Sequence, residues 1–225
     1  MFVVTSHATL GDTGKPTGAW YSEIAAPYYV FQDAGCSVTL ASVAGGPAVI
    51  DPASRLPEWQ TDATRRLDAD GQAVAALAKT RPVSAVDPSG IDILYMPGGL
   101  GAMWDFPHSP ALQALVESCA GSGKQIVATL CHGAACLVAA LDRSGAPLVA
   151  GRMLTSFTNS EERALQTDRI VPFLLESRLC ELGARFQAGP DWSDTAFADG
   201  WLISGQNPAS AAHVAQLALK AFSEL

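Results

Sequence analysis

Basic residues are scarce in this sequence of 225 residues, which contains 14 Lys and Arg against 22 Asp and Glu. The formal net charge of −8 disfavours binding to nucleic acid or to an anionic membrane surface, because both would repel the protein. No cluster of Lys or Arg offsets this balance. We therefore expect neither nucleic acid nor a membrane as a partner.

Cysteine and histidine are also few, and their spacing is not that of a metal site. The five cysteines include no C-x-x-C pair, and the four histidines show no paired spacing. An odd number of scattered cysteines argues against a disulfide framework and is typical of the reducing cytoplasm. The sequence therefore predicts a cytoplasmic protein without a bound metal.

Long apolar runs are missing as well. The most apolar stretch, residues 126–141, is interrupted by His132 and Gly133 and is too short to span a bilayer. The first residues, MFVVTSHATL, have no basic region followed by a long apolar run, so no signal peptide is predicted.

Strand-like and helix-like segments alternate along the chain, and 48% of its residues are hydrophobic. We predict strands at 2–6, 38–43, 91–96, 125–130, within 148–157, and at 186–188, 195–198 and 201–204. We predict helices at 19–34, 109–122, from 132 to 141, at 159–166, 170–182 and 208–222. This order predicts one α/β domain over residues 1–225, with a doubly wound and mostly parallel sheet between helices. Residues 50–88 are interpreted as a lid or insertion with one or two helices.

The segment KQIVATLCHGAACLVAAL contains the principal candidate for a nucleophile, Cys131. A turn between a strand end and a helix start would hold its thiol clear of the backbone, and free N–H groups of the helix could bind an oxyanion. The positive end of the helix dipole would lower the thiol pKa. This arrangement resembles the nucleophile elbow of hydrolases. The alternative interpretation is a buried core cysteine in an ordinary turn.

Neighbouring residues could supply a base and an oxyanion site. His132 is the adjacent candidate base, although it could simply stabilise the start of the helix. Gly98 and Gly99 end an apolar strand and could present backbone N–H groups, or could form a plain tight turn.

Three glutamates are candidate acids. Glu23 lies in an apolar stretch, where burial would raise its pKa and let it donate a hydrogen bond to a thiolate or a substrate oxygen. The alternative is a solvated helix carboxylate. Glu161 and Glu162 follow Asn159 and could complement a helix dipole.

Five segments together carry a resemblance to a known family. They are TGAWYSEIAAP, PGGLGAMWDFP, ATLCHGAA, GRMLTSFTNSEE and DGWLISGQNPAS. In this order they resemble successive motifs of the ThiJ/PfpI superfamily, and the nearest branch is the cofactor-independent glyoxalases (glyoxalase III), which includes heat-inducible chaperone-like proteins. The resemblance spans nearly the whole chain and is weakest at residues 50–88.

The resemblance implies a flavodoxin-like fold, a homodimer and no cofactor. It implies that Cys131 is the nucleophile and His132 its partner. Glu162, rather than Glu161, would orient His132, and Glu23 would hydrogen-bond the nucleophile. The oxyanion site would be formed by the N–H groups of Gly99 and His132, next to Gly98.

This sequence departs from the family pattern at three positions. Leu100 stands where members often have histidine, which bears on substrate preference because this position is expected to line the pocket. Ala134 replaces a frequent proline and Ser156 a frequent glycine, and both replacements are small.

The leading functional hypothesis is conversion of a 2-oxoaldehyde such as methylglyoxal to a 2-hydroxy acid such as lactate, through a hemithioacetal on Cys131. One alternative is a thiol amidase, peptidase or deglycase. Glutaminase activity is disfavoured because the late His-x-Glu segment of glutamine amidotransferases is absent, His213 being followed by Val214 and Ala215. The other alternative is a redox-responsive holdase chaperone in which Cys131 is oxidised.

Overall fold

The structure is a computed structural model that describes residues 1–225. Its nine strands are β1 (Phe2–Val4), β2 (Leu40–Ser42), β3 (Arg81–Pro82), β4 (Ile93–Met96), β5 (Ile126–Leu130), β6 (Met153–Leu154), β7 (Arg185–Phe186), β8 (Ala196–Asp199) and β9 (Leu202–Gly205). Seven strands form one sheet in the order β3-β2-β1-β4-β5-β9-β8, in which only β8 and β9 are antiparallel. The small sheet of β6 and β7 is separate. The predicted doubly wound, flavodoxin-like fold is confirmed.

Helices cover both faces of the main sheet. They are α1 (Tyr21–Asp33), α2 (Asp62–Ala69), α3 (Gly71–Ala78), α4 (Ala102–Asp105), α5 (Pro110–Gly121), α6 (Asn159–Ala164), α7 (Leu175–Glu181) and α8 (Ala211–Ser223). Alternate side chains of a strand point to opposite faces, so Leu94 and Met96 pack in one apolar core and Ile93 and Tyr95 in the other. Burial on both faces explains why β4 reads as a continuous apolar run.

Two predicted elements are shorter than expected because turn residues interrupt them. The helix predicted at 170–182 begins only at Leu175, after Pro172, which disfavours helical backbone in the residue before it. The strand region predicted at 148–157 contains only β6, because the chain turns through Gly151 at a φ of +74°.

The helix predicted after Cys131 is wrong in type and extent. Cys131–Leu137 forms a 3-10 helix, and residues 138–141 are not helical. All seven residues of this segment are buried, and they contact α4 and α5. Close packing in this position outweighs the intrinsic preference of the Ala-rich run for an α-helix.

Helix α1 continues through Pro27, where the sequence suggested a kink or a break. A proline has no N–H to donate to the carbonyl oxygen four residues earlier, which belongs to Glu23. The hydroxyl of Tyr95 donates to that oxygen at 3.0 Å instead. The carbonyl that Pro27 leaves without a partner is thus satisfied by a strand residue beneath the helix.

Residues 50–88 contribute elements of the main fold. Strand β3 extends the sheet by pairing with β2, and α2 packs on α1. The 3-10 turns Pro52–Arg55 and Pro57–Trp59 precede these elements. No helix of the structure is long and apolar enough to cross a membrane.

Candidate active site

Cys131 lies at the carboxyl end of β5, directly after Leu130. Its φ of +57° is in the left-handed region, which a residue with a Cβ rarely adopts. This conformation turns the chain sharply at the end of a central strand, where α/β folds form their binding sites. Such backbone strain at a strand end is typical of a functional position.

His132 and Glu162 form a buried pair beside the thiol. The Sγ of Cys131 lies 3.4 Å from Nδ1 of His132, and Nε2 of His132 lies 2.8 Å from Oε2 of Glu162. The hydroxyl of Thr167 donates to the other oxygen of Glu162. An ionised carboxylate only accepts hydrogen bonds, so it places the imidazole proton on Nε2 and leaves Nδ1 free to accept a proton from the thiol.

The environment of Glu162 keeps it ionised. Burial alone would raise the pKa of this carboxyl. The electrostatic interaction with His132 and the hydrogen bonds from His132 and Thr167 outweigh burial and hold the pKa of Glu162 below its usual value. Glu162 is therefore an acceptor that orients the imidazole.

Glu161, the neighbouring candidate, has a different role. Its carboxylate accepts hydrogen bonds from Thr158, which caps α6, and also from Trp192, Gln206 and Asn207. These donors occupy both of its oxygens, and none of them is His132. In the structure the hydrogen-bond partner of His132 is therefore Glu162 and not Glu161.

Glutamine variants of Glu162 and of Glu161, made one at a time, should distinguish the residue that orients His132 from the residue that stabilises the fold. Glu162→Gln is expected to lower kcat roughly 10- to 100-fold with little change in Tm, because the amide can present its NH2 group to Nε2 and favour the wrong tautomer. Glu161→Gln is expected to lower the free energy of unfolding by about 2 kcal/mol, since an NH2 group cannot accept from the donors around it. Denaturant unfolding and steady-state kinetics on both variants test this, and a larger kcat loss in Glu161→Gln would contradict it.

Glu23 lies on the other side of the cysteine. Its side chain is fully buried, and Oε2 accepts a hydrogen bond of 2.7 Å from the N–H of Gly98. Oε1 has no partner in ordinary hydrogen-bond geometry, although the carboxyl lies beside the Cys131 thiol. Burial raises the pKa of Glu23 to about 8, against the opposing effects of Gly98 and Cys131. Glu23 is therefore mostly protonated at neutral pH.

The prediction that the helix dipole lowers the pKa of the Cys131 thiol is wrong for the protein without substrate. Burial and the adjacent Glu23 raise the pKa of the Cys131 thiol, and the N–H of His132 opposes them without prevailing. The sequence could show a helix N-terminus but not how deeply the sulfur is buried. The resting group is a thiol, so its attack on a substrate requires a base at the moment of reaction.

The shifted pKa of Glu23 makes a prediction about stability. A carboxyl whose pKa rises from 4.5 in the unfolded chain to about 8 in the native state stabilises the protein fully only below pH 4.5. This contribution is lost progressively as pH rises from 4.5 to about 8. We expect the wild type to lose a few kcal/mol of unfolding free energy, relative to Glu23→Gln, between pH 5 and pH 9. Urea unfolding of both proteins at the two pH values measures this, and parallel pH dependences would refute it.

Gly98 and Gly99 allow close approach of the β4 loop to the elbow. A Cβ on Gly98 would lie 2.6 Å from the backbone nitrogen of His132 and 2.9 Å from the Cβ of Cys131. Gly99 has a φ of +101°, and a Cβ there would collide with the carbonyl oxygen of Gly18. Glycine is required at both positions, which brings the end of β4 against the backbone N–H of His132.

An open cavity of about 340 Å³ leads to these residues. Cys131, His132 and Glu23 lie in its wall together with Gly99 and Leu100, so the structure brings together the main predicted site residues. Large apolar side chains form much of the remaining wall: Trp20, Trp59, Phe157, Leu165 and Trp192. The structure contains no group of three or more His, Cys, Asp or Glu that could hold a metal ion.

A family model described as the DJ-1/PfpI family matches residues 17–221, a range that includes every residue of this site. The chain belongs to the DJ-1/PfpI family. Several similar proteins also have names of the glyoxalase III type, so the resemblance found in the sequence motifs is confirmed.

Two relatives and two solved structures show how far the likeness of this DJ-1/PfpI chain extends. The glutathione-independent glyoxalase hsp3101 of Schizosaccharomyces pombe is 30% identical and covers 94% of this chain and 90% of its own. Glyoxalase 3 of Candida albicans is 27% identical over 99% of this chain and 97% of its own. The structure of Rapid Encystment Protein 24 kDa from Francisella tularensis has a TM-score of 0.94 at 29% identity, covering 98% and 97%. That of glyoxalase III from Candida albicans has a TM-score of 0.88 at 25% identity, covering 98% and 95%.

The departures from the family pattern fit the structure of this DJ-1/PfpI member. Ala134 and Ser156 are fully buried, and their small side chains are accommodated without exposed polar atoms. Leu100 lines the cavity as expected and makes the wall beside Cys131 apolar. Sequence reasoning missed Trp59 and Trp192, although two tryptophans in irregular segments with neighbouring prolines could have suggested a binding surface.

Proposed function

We propose that this protein converts 2-oxoaldehydes to 2-hydroxy acids without glutathione or another cofactor. The observation that carries the proposal is the position of a buried thiol between an oriented imidazole and a protonated carboxyl. Cys131 Sγ lies 3.4 Å from the free nitrogen of His132, and Glu23 lies beside the same sulfur. A nucleophile, a base and an acid thus meet at one wall of the cavity.

The first step is addition of the thiol to the aldehyde carbon, C1. Nδ1 of His132 accepts the Sγ proton as the S–C1 bond forms, and the imidazolium is stabilised by Glu162. Glu23 gives its proton to the aldehyde oxygen, which yields a neutral hemithioacetal and leaves Glu23 ionised. The N–H groups of Gly99 and His132 stabilise the developing charge on oxygen.

The second step moves a proton from C1 to C2. The carboxylate of Glu23 removes the proton from C1, and the electron pair forms the C1–C2 double bond of an enediolate. Glu23, whose carboxyl proton exchanges with solvent at this stage, then delivers a proton to C2, while the hydroxyl proton of C1 passes to the oxygen on C2. The product is a thioester of the 2-hydroxy acid, with no change in the total number of electrons.

The third step is hydrolysis. Water adds to C1 of the thioester, the C1–S bond breaks, and the imidazolium of His132 returns its proton to Sγ. One proton of the attacking water passes to the carboxylate of Glu23 and restores its protonated form for the next cycle, and the 2-hydroxy acid leaves and ionises in solvent. The overall change is addition of one water to the substrate.

The relatives support this proposal. Proteins named glutathione-independent glyoxalases cover nearly the whole chain, and the residues that this mechanism uses lie within the matched range. The apolar side chains of Leu100 and Phe157 in the cavity wall lower the local polarity, which strengthens the electrostatic interactions of the reacting groups.

Incubation with methylglyoxal in D2O tests both activity and mechanism. After treatment with a chelator and without glutathione, the protein should produce lactate that carries deuterium at C2, since the carboxyl of Glu23 exchanges its proton with solvent. A direct hydride shift from C1 to C2 would give lactate without deuterium and would refute the shuttle. Cleavage of amides or suppression of aggregation, with no turnover of oxoaldehyde, would refute the function itself.

A further inference from the structure

The wall of the active-site cavity is mostly apolar and carries few ionisable groups. It contains no Lys or Arg, and its ionisable groups are Cys131, His132, Glu23 and Asp51. The carboxylate of Asp51 is occupied, because it accepts hydrogen bonds from Thr17 and from the N–H of Ala53. The cavity thus offers no Lys or Arg to pair with a carboxylate or phosphate on a substrate, and the carboxylate of Asp51 disfavours such a group.

Two tryptophans of the cavity wall, Trp20 and Trp59, are in edge-to-face contact. The ring centroids of Trp20 and Trp59 are 5.3 Å apart with planes at 78°, a favourable aromatic geometry. Trp59 comes from the 3-10 turn Pro57–Trp59, and 46% of its surface is exposed at the mouth. An exposed tryptophan on a cavity wall offers an apolar face to whatever enters.

Trp192 lines the same cavity, and its position is fixed by its backbone. Its φ of +62° is in the left-handed region, and its N–H donates to Glu161 at 2.9 Å. The ring lies 5.7 Å from that of Phe157, which in turn lies 4.4 Å from the imidazole of His132. An aromatic side chain held in a strained conformation at the site indicates a function for its exposed face.

The cavity is also larger than the simplest substrate. About 340 Å³ lies within the range of sites for molecules of drug size, roughly 300–1,000 Å³. Methylglyoxal has only a methyl group beyond its two carbonyl groups and would leave the tryptophan faces in contact with water. A substrate with an aromatic or branched alkyl group on C2 would cover them.

We propose that the aromatic cleft lined by Trp59 and Trp192 selects uncharged 2-oxoaldehydes that carry an aromatic or bulky alkyl group on C2, in preference to methylglyoxal. This inference rests on the proposed function and names its substrate class. With the aldehyde carbon at Cys131, the C2 substituent packs against the indole rings of the cavity wall. Leu100 completes the apolar surface near the sulfur, where family members often have histidine.

The test compares kcat/KM for phenylglyoxal and methylglyoxal on the wild type and on Trp59→Ala, Trp59→Phe and Trp192→Ala. The wild type should prefer phenylglyoxal by about tenfold. Each alanine variant should lose most of that preference through a roughly fivefold to tenfold fall with phenylglyoxal, with a change of less than about twofold for methylglyoxal. Trp59→Phe should keep most of it. Because the intrinsic reactivity of each aldehyde is the same on every variant, the change in this ratio reports the cleft alone.

Leu56→Ala is the matched control, since Leu56 is equally exposed in the same segment but does not line the cavity. Its ratio should equal that of the wild type. A preference that survives both alanine substitutions, or a wild type that prefers methylglyoxal, overturns this inference and leaves the proposed function intact. Failure to turn over either aldehyde overturns the proposed function and this inference with it. Retained turnover of methylglyoxal shows that a variant is folded.

Discussion

Replacement of Cys131 by alanine is expected to lower kcat/KM for 2-oxoaldehydes by about 10⁴-fold or more while the protein stays folded. The reason is that the S–C1 bond carries the substrate through both later steps, and no other thiol lines the cavity. Steady-state kinetics and a thermal melt measure the two effects. The alanine variant keeps the backbone strain at position 131, where φ is +57°, because alanine also has a Cβ.

Two cysteine variants serve as controls for this result. Cys180→Ala removes an exposed thiol outside the cavity and should retain full activity. Cys131→Ser keeps a nucleophilic atom in place, but its hydroxyl is harder to ionise, so it should be nearly as inactive as the alanine variant. Residual activity above a few per cent in Cys131→Ala would show that the sulfur is not the nucleophile.

Replacement of Glu23 by glutamine is expected to lower kcat by about 10³-fold, within the range typical of a general acid–base group. An amide can still accept from Gly98, so the loss reports the missing proton and not a missing hydrogen bond. In the wild type, kcat/KM should fall as pH rises through about 8, because the protonated form of Glu23 starts the reaction. A pH–rate profile of each protein from pH 5 to pH 10 measures this.

The pH profile of Glu23→Gln distinguishes catalysis from packing. If Glu23 carries the proton, the variant's residual activity should lack the fall near pH 8, since glutamine does not titrate. Glu117→Gln is a suitable control, because that carboxylate lies outside the cavity and accepts from the N–H of Leu141. An unchanged pH profile in Glu23→Gln would assign the titration to another group.

The sequence could predict the elbow because strand and turn signals are local. The apolar run of β5, the small residues after Cys131 and the adjacent His132 are all within one short segment. The position of Glu23 is different: it depends on the sheet order that places β4 next to β5, with α1 above both. No periodicity contains that information, and the family resemblance supplied it.

The pKa of the thiol and the aromatic cleft could not be predicted for a related reason. Whether a helix N-terminus or burial dominates the pKa of Cys131 depends on how many elements surround the sulfur. Trp192 takes its position from a hydrogen bond to Glu161, which is 31 residues away in the chain. Trp59 lies in a 3-10 turn whose residues show no pattern of their own. Long-range contacts determined these features, and local propensity did not.

The hydrogen bond from the Tyr95 hydroxyl to the Glu23 carbonyl links helix α1 to the central strand β4. Apolar contacts between a helix and a sheet have no preferred direction. A helix held by such contacts alone can therefore shift by fractions of an ångström when temperature or solvent changes. Here the turn of α1 that contains Glu23 is held from below by the hydrogen bond from the rigid Tyr95 ring. Thermal expansion of the outer shell should therefore leave the spacing between sulfur and carboxyl nearly constant.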